Sequence, residues 1–204
     1  MRNATINGAG HICEGTYDNI TINGAGKFDG AITCDELVVN GACKGYDITS
    51  NALKIAGAIT ADNITANNVE ISGSCKASKI KADKFASHGS LNCESIESDC
   101  IENSGAMKCD DVKARDILLN GVGSNIKTIT CDYLHVKKSG IILFAKNNKI
   151  TSITGKSINV TYCDVETIVG DDVVIGPHCN IKEVTYTSTL NVDKHSKVNN
   201  IIFN

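Results

Sequence analysis

Apolar side chains recur in pairs along this chain, and the pairs themselves recur every sixteen residues between Gly41 and Gly121. When each repeat is numbered from its glycine as position 0, apolar or small residues occupy positions 2 and 4, 7 and 9, and 12 and 14. In the repeat that begins at Gly57, these positions hold Ile59, Ala61, Ile64, Ala66, Val69 and Ile71. A spacing of two is the period of a β-strand, and the helical spacings of three and four do not account for the pairs. The pattern therefore predicts three short strands in every repeat.

The step of three residues between pairs leaves room for a corner, so each repeat is predicted to form one triangular coil. A fixed period of this length indicates one supersecondary unit stacked on itself. Parallel crossovers are overwhelmingly right-handed, and sixteen is not a multiple of the six residues typical of left-handed hexapeptide helices. The sequence thus predicts an all-β fold, a single right-handed three-sided parallel β-helix with about twelve coils of about 16–17 residues.

Two polar or small columns are predicted to mark the corners. The glycine column comprises Gly41, Gly57, Gly73, Gly89, Gly105 and Gly121, with Gly8 and Gly24 before it. Position 10 carries Asn51, Asn67, Asp83 and Asp99 in successive repeats. Because glycine, Asn and Asp tolerate the left-handed backbone conformation, we expect sharp corners at both columns.

A repeat array forms one continuous body, so we predict a single β-helix domain over residues 1–204. Within it, residues 1–121 form regular coils, 122–157 form irregular coils or a protruding loop, and 158–204 form the C-terminal coils. The glycine column is lost after Gly121. Ile142 and Phe144 are expected to form one strand pair, and a bulge or loop is expected near Lys146–Asn148.

Charge and hydropathy narrow the class of protein. The chain has 20 Lys and Arg against 23 Asp and Glu, with no basic run, which argues against nucleic-acid binding. No apolar run has the length of a signal peptide or a membrane helix. We therefore expect a cytoplasmic protein with no direct membrane segment.

The ten cysteines occupy positions where neighbouring repeats carry Ile, Ala or Leu. We interpret them as reduced core residues, as expected for small apolar side chains in a cytosolic protein. Cys93 and Cys109 occupy the same position of adjacent coils, where the expected spacing of about 4.8 Å would also permit a disulfide. The reduced pair is the favoured interpretation, with the disulfide as the alternative.

Motifs for catalysis or metal binding are sparse. There is no C-x-x-C pair, and the five histidines are dispersed at His11, His88, His135, His178 and His195. The segment 175–181, IGPHCNI, is like one hexapeptide unit of an acyltransferase, but such enzymes need many consecutive units. Asp83 and Asp99 could together bind a cation, but two solvated turn residues are the favoured interpretation. We predict no enzyme activity and no catalytic, cofactor-binding or metal-binding residue.

The ends of a β-helix expose unpaired backbone groups, and such edges template pairing with another chain unless they are capped. No amphipathic helix long enough to form a cap is visible at either terminus. Ile201, Ile202 and Phe203 lie at the C-terminus instead. We predict that these three residues form a polymerisation interface; the alternative is that they fold back and seal their own last coil.

Three segments carry a resemblance to a known family: INGAG at 6–10, CEGTYDNITINGAGKFDGAIT at 13–33, and DDVVIGPHCNIKEVTYTSTLNVDKHSKV at 171–198. Over nearly the whole chain, the sequence resembles the bactofilins, the bacterial polymer-forming cytoskeletal proteins. The resemblance implies a right-handed β-helix that polymerises end to end into filaments without nucleotide. It also implies a scaffold for cell shape, the envelope or motility machinery, with proteins of that machinery as partners.

The sequence therefore predicts a non-enzymatic cytoskeletal scaffold that is cytoplasmic and reaches the inner face of the cell membrane through partners. The alternative function is a non-polymerising β-helical adaptor that binds a partner protein through a coil face.

Overall fold

The structure is a computed structural model, and it describes residues 2–138 and 146–204. All regular elements within these residues are β-strands, and the strands pair in parallel. The predicted all-β parallel solenoid is therefore confirmed, with about 12 turns. The chain divides into two compact units, Met1–Ser98 and Asp99–Asn204. The single domain and the right-handed sense of the coils stay predictions.

Ten strands begin in the first unit. They are β1 (Ala4–Ile6), β2 (Ala9–Ile12), β3 (Gly15–Ile22), β4 (Ala25–Phe28), β5 (Ile32–Val39), β6 (Ala42–Lys44), β7 (Asp47–Ile55), β8 (Ala58–Ile71), β9 (Ser74–Ser87) and β10 (Ser90–Asn103). One series of parallel neighbours runs β1-β3-β5-β7-β8-β9, and a second runs β2-β4-β6-β8. In β8, β9 and β10, one 14-residue strand passes through all three sides of a coil.

The register of the first unit follows the predicted period. Ala58 pairs with Ser74 and Ile71 with Ser87, which are steps of sixteen residues. Gly15 pairs with Ile32, a step of seventeen. In β8, six side chains are buried: Ile59, Ala61, Ile64, Ala66, Val69 and Ile71. These are the predicted inward positions, so the three strand pairs of each coil are confirmed.

Six strands begin in the second unit. They are β11 (Ala106–Leu119), β12 (Asn125–Val136), β13 (Asn148–Val160), β14 (Cys163–Ile175), β15 (Asn180–Val192) and β16 (Lys197–Phe203), and they pair in chain order. The step from β11 to β12 is seventeen residues, from Lys108 to Asn125. The next step is 24 residues, from Asn125 to Lys149, so the extra residues of this coil fall between Val136 and Asn148.

The irregular stretch is narrower than the predicted boundaries of 122–157. Strand β12 pairs along its length with both β11 and β13. Asn148 opens β13 as a buried residue, and its amide donates to the backbone oxygen of Gly121 at 2.9 Å. Its Oδ1 accepts from the backbone N–H of Ser124 at 2.9 Å, so this residue is part of the packed coil. The predicted pair of Ile142 and Phe144 lies outside the described residues.

The glycine column has a different cause from the predicted one. Among the described residues, positive φ occurs at Gly15 and Gly123 and at two non-glycine residues, but at no glycine of the column. Instead, a Cβ on Gly73 would overlap the backbone oxygen of Gly57. That oxygen accepts a hydrogen bond from the N–H of Ser74 at 2.8 Å. The column is glycine because consecutive coils approach backbone to backbone at this corner.

The Asn and Asp column also lacks the left-handed backbone that we expected of it. Its side chains bond to one another along the stack. The Asn67 amide donates to Asn51 Oδ1 at 3.5 Å, and the Asn51 amide donates to Asp35 Oδ1 at 3.0 Å. Asn67, Asn51 and Asp35 thus form a side-chain ladder that links neighbouring coils.

Candidate functional site at the C-terminal edge

Strand β16 forms the edge of the second unit, because its neighbour in the strand order is β15 alone. Ile201 pairs with Val184, Ile202 with Thr185, and Phe203 with Tyr186. The far side of β16 therefore has no strand partner among the described residues. Unpaired backbone groups along such an edge are a template for another strand.

The three predicted interface residues lie together on this edge and are exposed. The exposed fractions are 51% for Ile201, 37% for Ile202 and 65% for Phe203. The Phe203 ring packs on the Tyr186 ring of the preceding coil, with 5.2 Å between centroids. Ile201 pairs in register with Val184, which is fully buried. The three residues thus pack on their own last coil and still leave apolar surface in solvent.

Among the described residues, strand β16 pairs with only the first part of β15. Its pairing with β15 ends at Phe203, so the later part of β15 has no strand above it among the described residues. Leu190 and Val192 are only partly buried there, whereas Val173 and Ile175 in the register-matched positions of β14 are fully buried. This part of β15 is therefore less covered than the matching part of β14 among the described residues.

At the N-terminal edge of the first unit, Arg2 and Tyr17 make polar contacts. The Arg2 guanidinium lies 4.4 Å from the centroid of the Tyr17 ring and donates to the Tyr17 hydroxyl at 2.9 Å. That hydroxyl donates to the backbone oxygen of Cys13 at 2.8 Å. A guanidinium over an aromatic face is a favourable cation–π arrangement. Strand β1 has β3 as its strand neighbour among the described residues, but it exposes no large apolar side chain of the kind seen on β16.

The cysteines are free thiols, and eight of the ten are buried. Burial raises the pKa of Cys34 to about 11 and the pKa values of Cys43 and Cys75 to about 12. Cys93 and Cys109 are both buried and are not joined by a disulfide. Eight cysteines are therefore core residues, as interpreted from the sequence, whereas Cys13 and Cys100 are exposed. Buried thiols with such pKa values are poor nucleophiles near neutral pH.

The histidines are less dispersed than the sequence suggested. His178 and His195 are stacked with 6.2 Å between ring centroids, and Tyr162 lies 4.9 Å from His178. Their sequence spacings of sixteen and seventeen match the coil period, and that signal would have placed all three at one corner. The segment around Pro177 is a corner of the coil, where His178 has a φ of 60°.

The remaining candidate for a binding site was the pair of Asp83 and Asp99. Asp83 and Asp99 are each exposed. No group of three or more His, Cys, Asp or Glu side chains in the described ranges is placed to hold a metal ion. Within residues 2–138 and 146–204, no helix has the length and apolar character needed to cross a membrane.

Searches of family models, of curated proteins and of solved structures returned no match to this chain.

Proposed function

We propose that the protein is a non-enzymatic cytoskeletal scaffold that assembles end to end into filaments without nucleotide. The observation that supports this proposal is the edge strand β16, on which Ile201, Ile202 and Phe203 are exposed. A second copy of the chain is the partner, because it presents strands of the same spacing and the same parallel register.

Assembly at this edge has two physical contributions. Strand pairing would satisfy the N–H and C=O groups on the outer side of β16, and apolar burial would remove the exposed side chains from water. Natural edge strands are commonly protected by Lys, Pro or bulges. Strand β16 has Lys197 at its start, but its last residues, Ile201–Phe203, carry no such protection.

The resemblance to the bactofilins supports the same function. It also suggests the setting: a cytoplasmic polymer that serves cell shape, the envelope or motility machinery and reaches the inner face of the membrane through partner proteins. An assembly function needs no catalytic group, and the proposal assigns none.

An adaptor function is the second candidate, and one flank of the second unit favours it. The Tyr133 side chain is 55% exposed on β12, and Leu118 on the neighbouring β11 is partly exposed. Val174 on β14 is 38% exposed. A partner protein bound through a coil face would use a surface of this kind rather than the C-terminal edge.

Electron microscopy of the purified full chain, without nucleotide, separates the two functions. End-to-end assembly predicts filaments that lengthen with protein concentration. Dispersed single particles at all concentrations would overturn the scaffold proposal and leave the adaptor.

A further inference from the structure

A groove at one corner of the second unit is lined by positively charged and ring-bearing side chains. Its lining includes Lys138, Tyr162, His178, Lys194, His195 and Lys197. No carboxylate is among the groove residues that the structure describes. Three ammonium groups around one concave surface produce a positive potential that favours an anion.

The carboxylates of Asp193 and Asp164, which contact groove residues, already accept hydrogen bonds. Asp193 Oδ1 accepts from the backbone N–H of His195 at 2.8 Å and lies 3.0 Å from the His195 Nδ1. These hydrogen bonds, the backbone one first, lower the pKa of Asp193, so it is ionised and His195 Nδ1 donates to it. Asp164 Oδ1 accepts from the Asn147 amide at 3.1 Å.

The ring positions are strained. Tyr162 has a φ of 53° and His178 a φ of 60°, and they are the only non-glycine residues with positive φ in the described part of the chain. Glycine or Asn would adopt this conformation at lower cost, which for a bulky residue is on the order of 1 kcal/mol. Strain of this kind concentrates at functional sites. Both strained residues present their rings to the same groove.

The rings form an ordered stack. His178 lies between Tyr162, at 4.9 Å, and His195, at 6.2 Å, measured between centroids. The Lys138 ammonium is 4.9 Å from the centroid of the Tyr162 ring, so the cation is placed by the ring beneath it. The stack therefore fixes the imidazoles and one ammonium group before any ligand arrives, which lowers the entropic cost of binding.

We propose that this corner groove binds a phosphate-bearing anion. Lysine ammonium groups and imidazole N–H groups donate hydrogen bonds to phosphate oxygens, and these hydrogen bonds are charge-assisted. The ligand is a free phosphate compound or the phosphate of a lipid headgroup, since both present the same oxygens. The observations that support this anion site differ from those that support the C-terminal edge, and anion binding does not require assembly.

The first experiment titrates pyrophosphate into the full-length protein at low salt by calorimetry. The double variant Lys194→Gln/Lys197→Gln is expected to weaken binding about tenfold or more, because two charge-assisted contacts are lost. His178→Asn is expected to weaken it as well while keeping the corner, since Asn tolerates positive φ. The matched control is Lys79→Gln/Lys84→Gln, which removes the same charge from exposed positions on β9.

A second arm identifies the source of the phosphate by co-sedimentation with phosphatidylglycerol vesicles, with phosphatidylcholine vesicles as the neutral reference. Pyrophosphate binding that the groove variants lose supports a free phosphate ligand. Vesicle binding alone, lost in the same variants, supports a headgroup. Absence of both, or equal weakening in the Lys79→Gln/Lys84→Gln control, would overturn the proposal.

Discussion

At the scale of single residues, the glycine column shows how a backbone contact controls sequence. A Cβ at these column glycines would overlap the carbonyl oxygen of the glycine one coil earlier, as at Gly41 against Gly24 and at Gly89 against Gly73. The same oxygens accept hydrogen bonds from the following coil, so they cannot turn away without losing a bond. A side chain at these positions has no space, even though the backbone conformation would tolerate one.

Substitution at one column glycine tests this cause. Gly73→Ala is expected to lower the free energy of unfolding by about 1–3 kcal/mol, because the new Cβ would overlap the Gly57 oxygen and strain the packed backbone. Gly8→Ala is the matched control, since no atom lies within 4 Å of a Cβ at that position. Chemical denaturation of both variants measures the difference, and equal stability would show that the column does not depend on close approach.

At the scale of the strand, the inward positions tolerate exceptions to the apolar pattern, and the exceptions have a cost. Position 14 holds Ile71 in β8 and Ser87 one coil later in β9, and both are fully buried. The Ser87 hydroxyl has no hydrogen-bond partner. Burying an unsatisfied hydroxyl costs about 1–3 kcal/mol. The other five inward side chains of β9 hold the strand in position in the core.

Removing that hydroxyl should therefore stabilise the protein. Ser87→Ala is expected to raise the free energy of unfolding by about 1 kcal/mol, because the desolvation penalty is lost and little volume changes. Ser78→Ala on the exposed face of the same strand should stay within about 0.5 kcal/mol of the parent. Denaturant titration of the two variants decides the matter, and a less stable Ser87→Ala protein would contradict the expectation.

Periodicity explains how much of this fold could be predicted from sequence. Inward and outward positions alternate with strand geometry, so Ile59 and Val69 could be assigned to the core without a structure. The reason why position 73 is a glycine could not be predicted from the sequence, because it depends on the distance between the backbones of two coils. The ring corner was missed although Tyr162 and His178 are one coil period apart, because the glycine column that marks the register is lost after Gly121.

At the scale of the whole molecule, the chemistry of the two ends differs. At the N-terminal edge, Arg2 makes a cation–π contact and a hydrogen bond with Tyr17. The C-terminal edge exposes Ile201, Ile202 and Phe203 beside the partly buried Leu190. The sequence could locate this apolar cluster but could not show that its residues stay exposed while they pair with Val184, Thr185 and Tyr186 of β15. An edge of this composition is favourable to cover and costly to leave in water.

A charge placed on that edge should prevent assembly. Phe203→Arg is expected to abolish filaments, because the side chain is 65% exposed on the outermost strand and a guanidinium there would be buried against apolar groups in any end-to-end contact. The matched variant Tyr133→Arg changes an aromatic ring that is 55% exposed on the flank of β12, away from the edge strand, and should leave filaments intact. Electron microscopy and light scattering of both proteins measure the outcome. Filaments in Phe203→Arg at the parent concentration would exclude the C-terminal edge as the contact, and their loss in Tyr133→Arg alone would favour assembly through the flank.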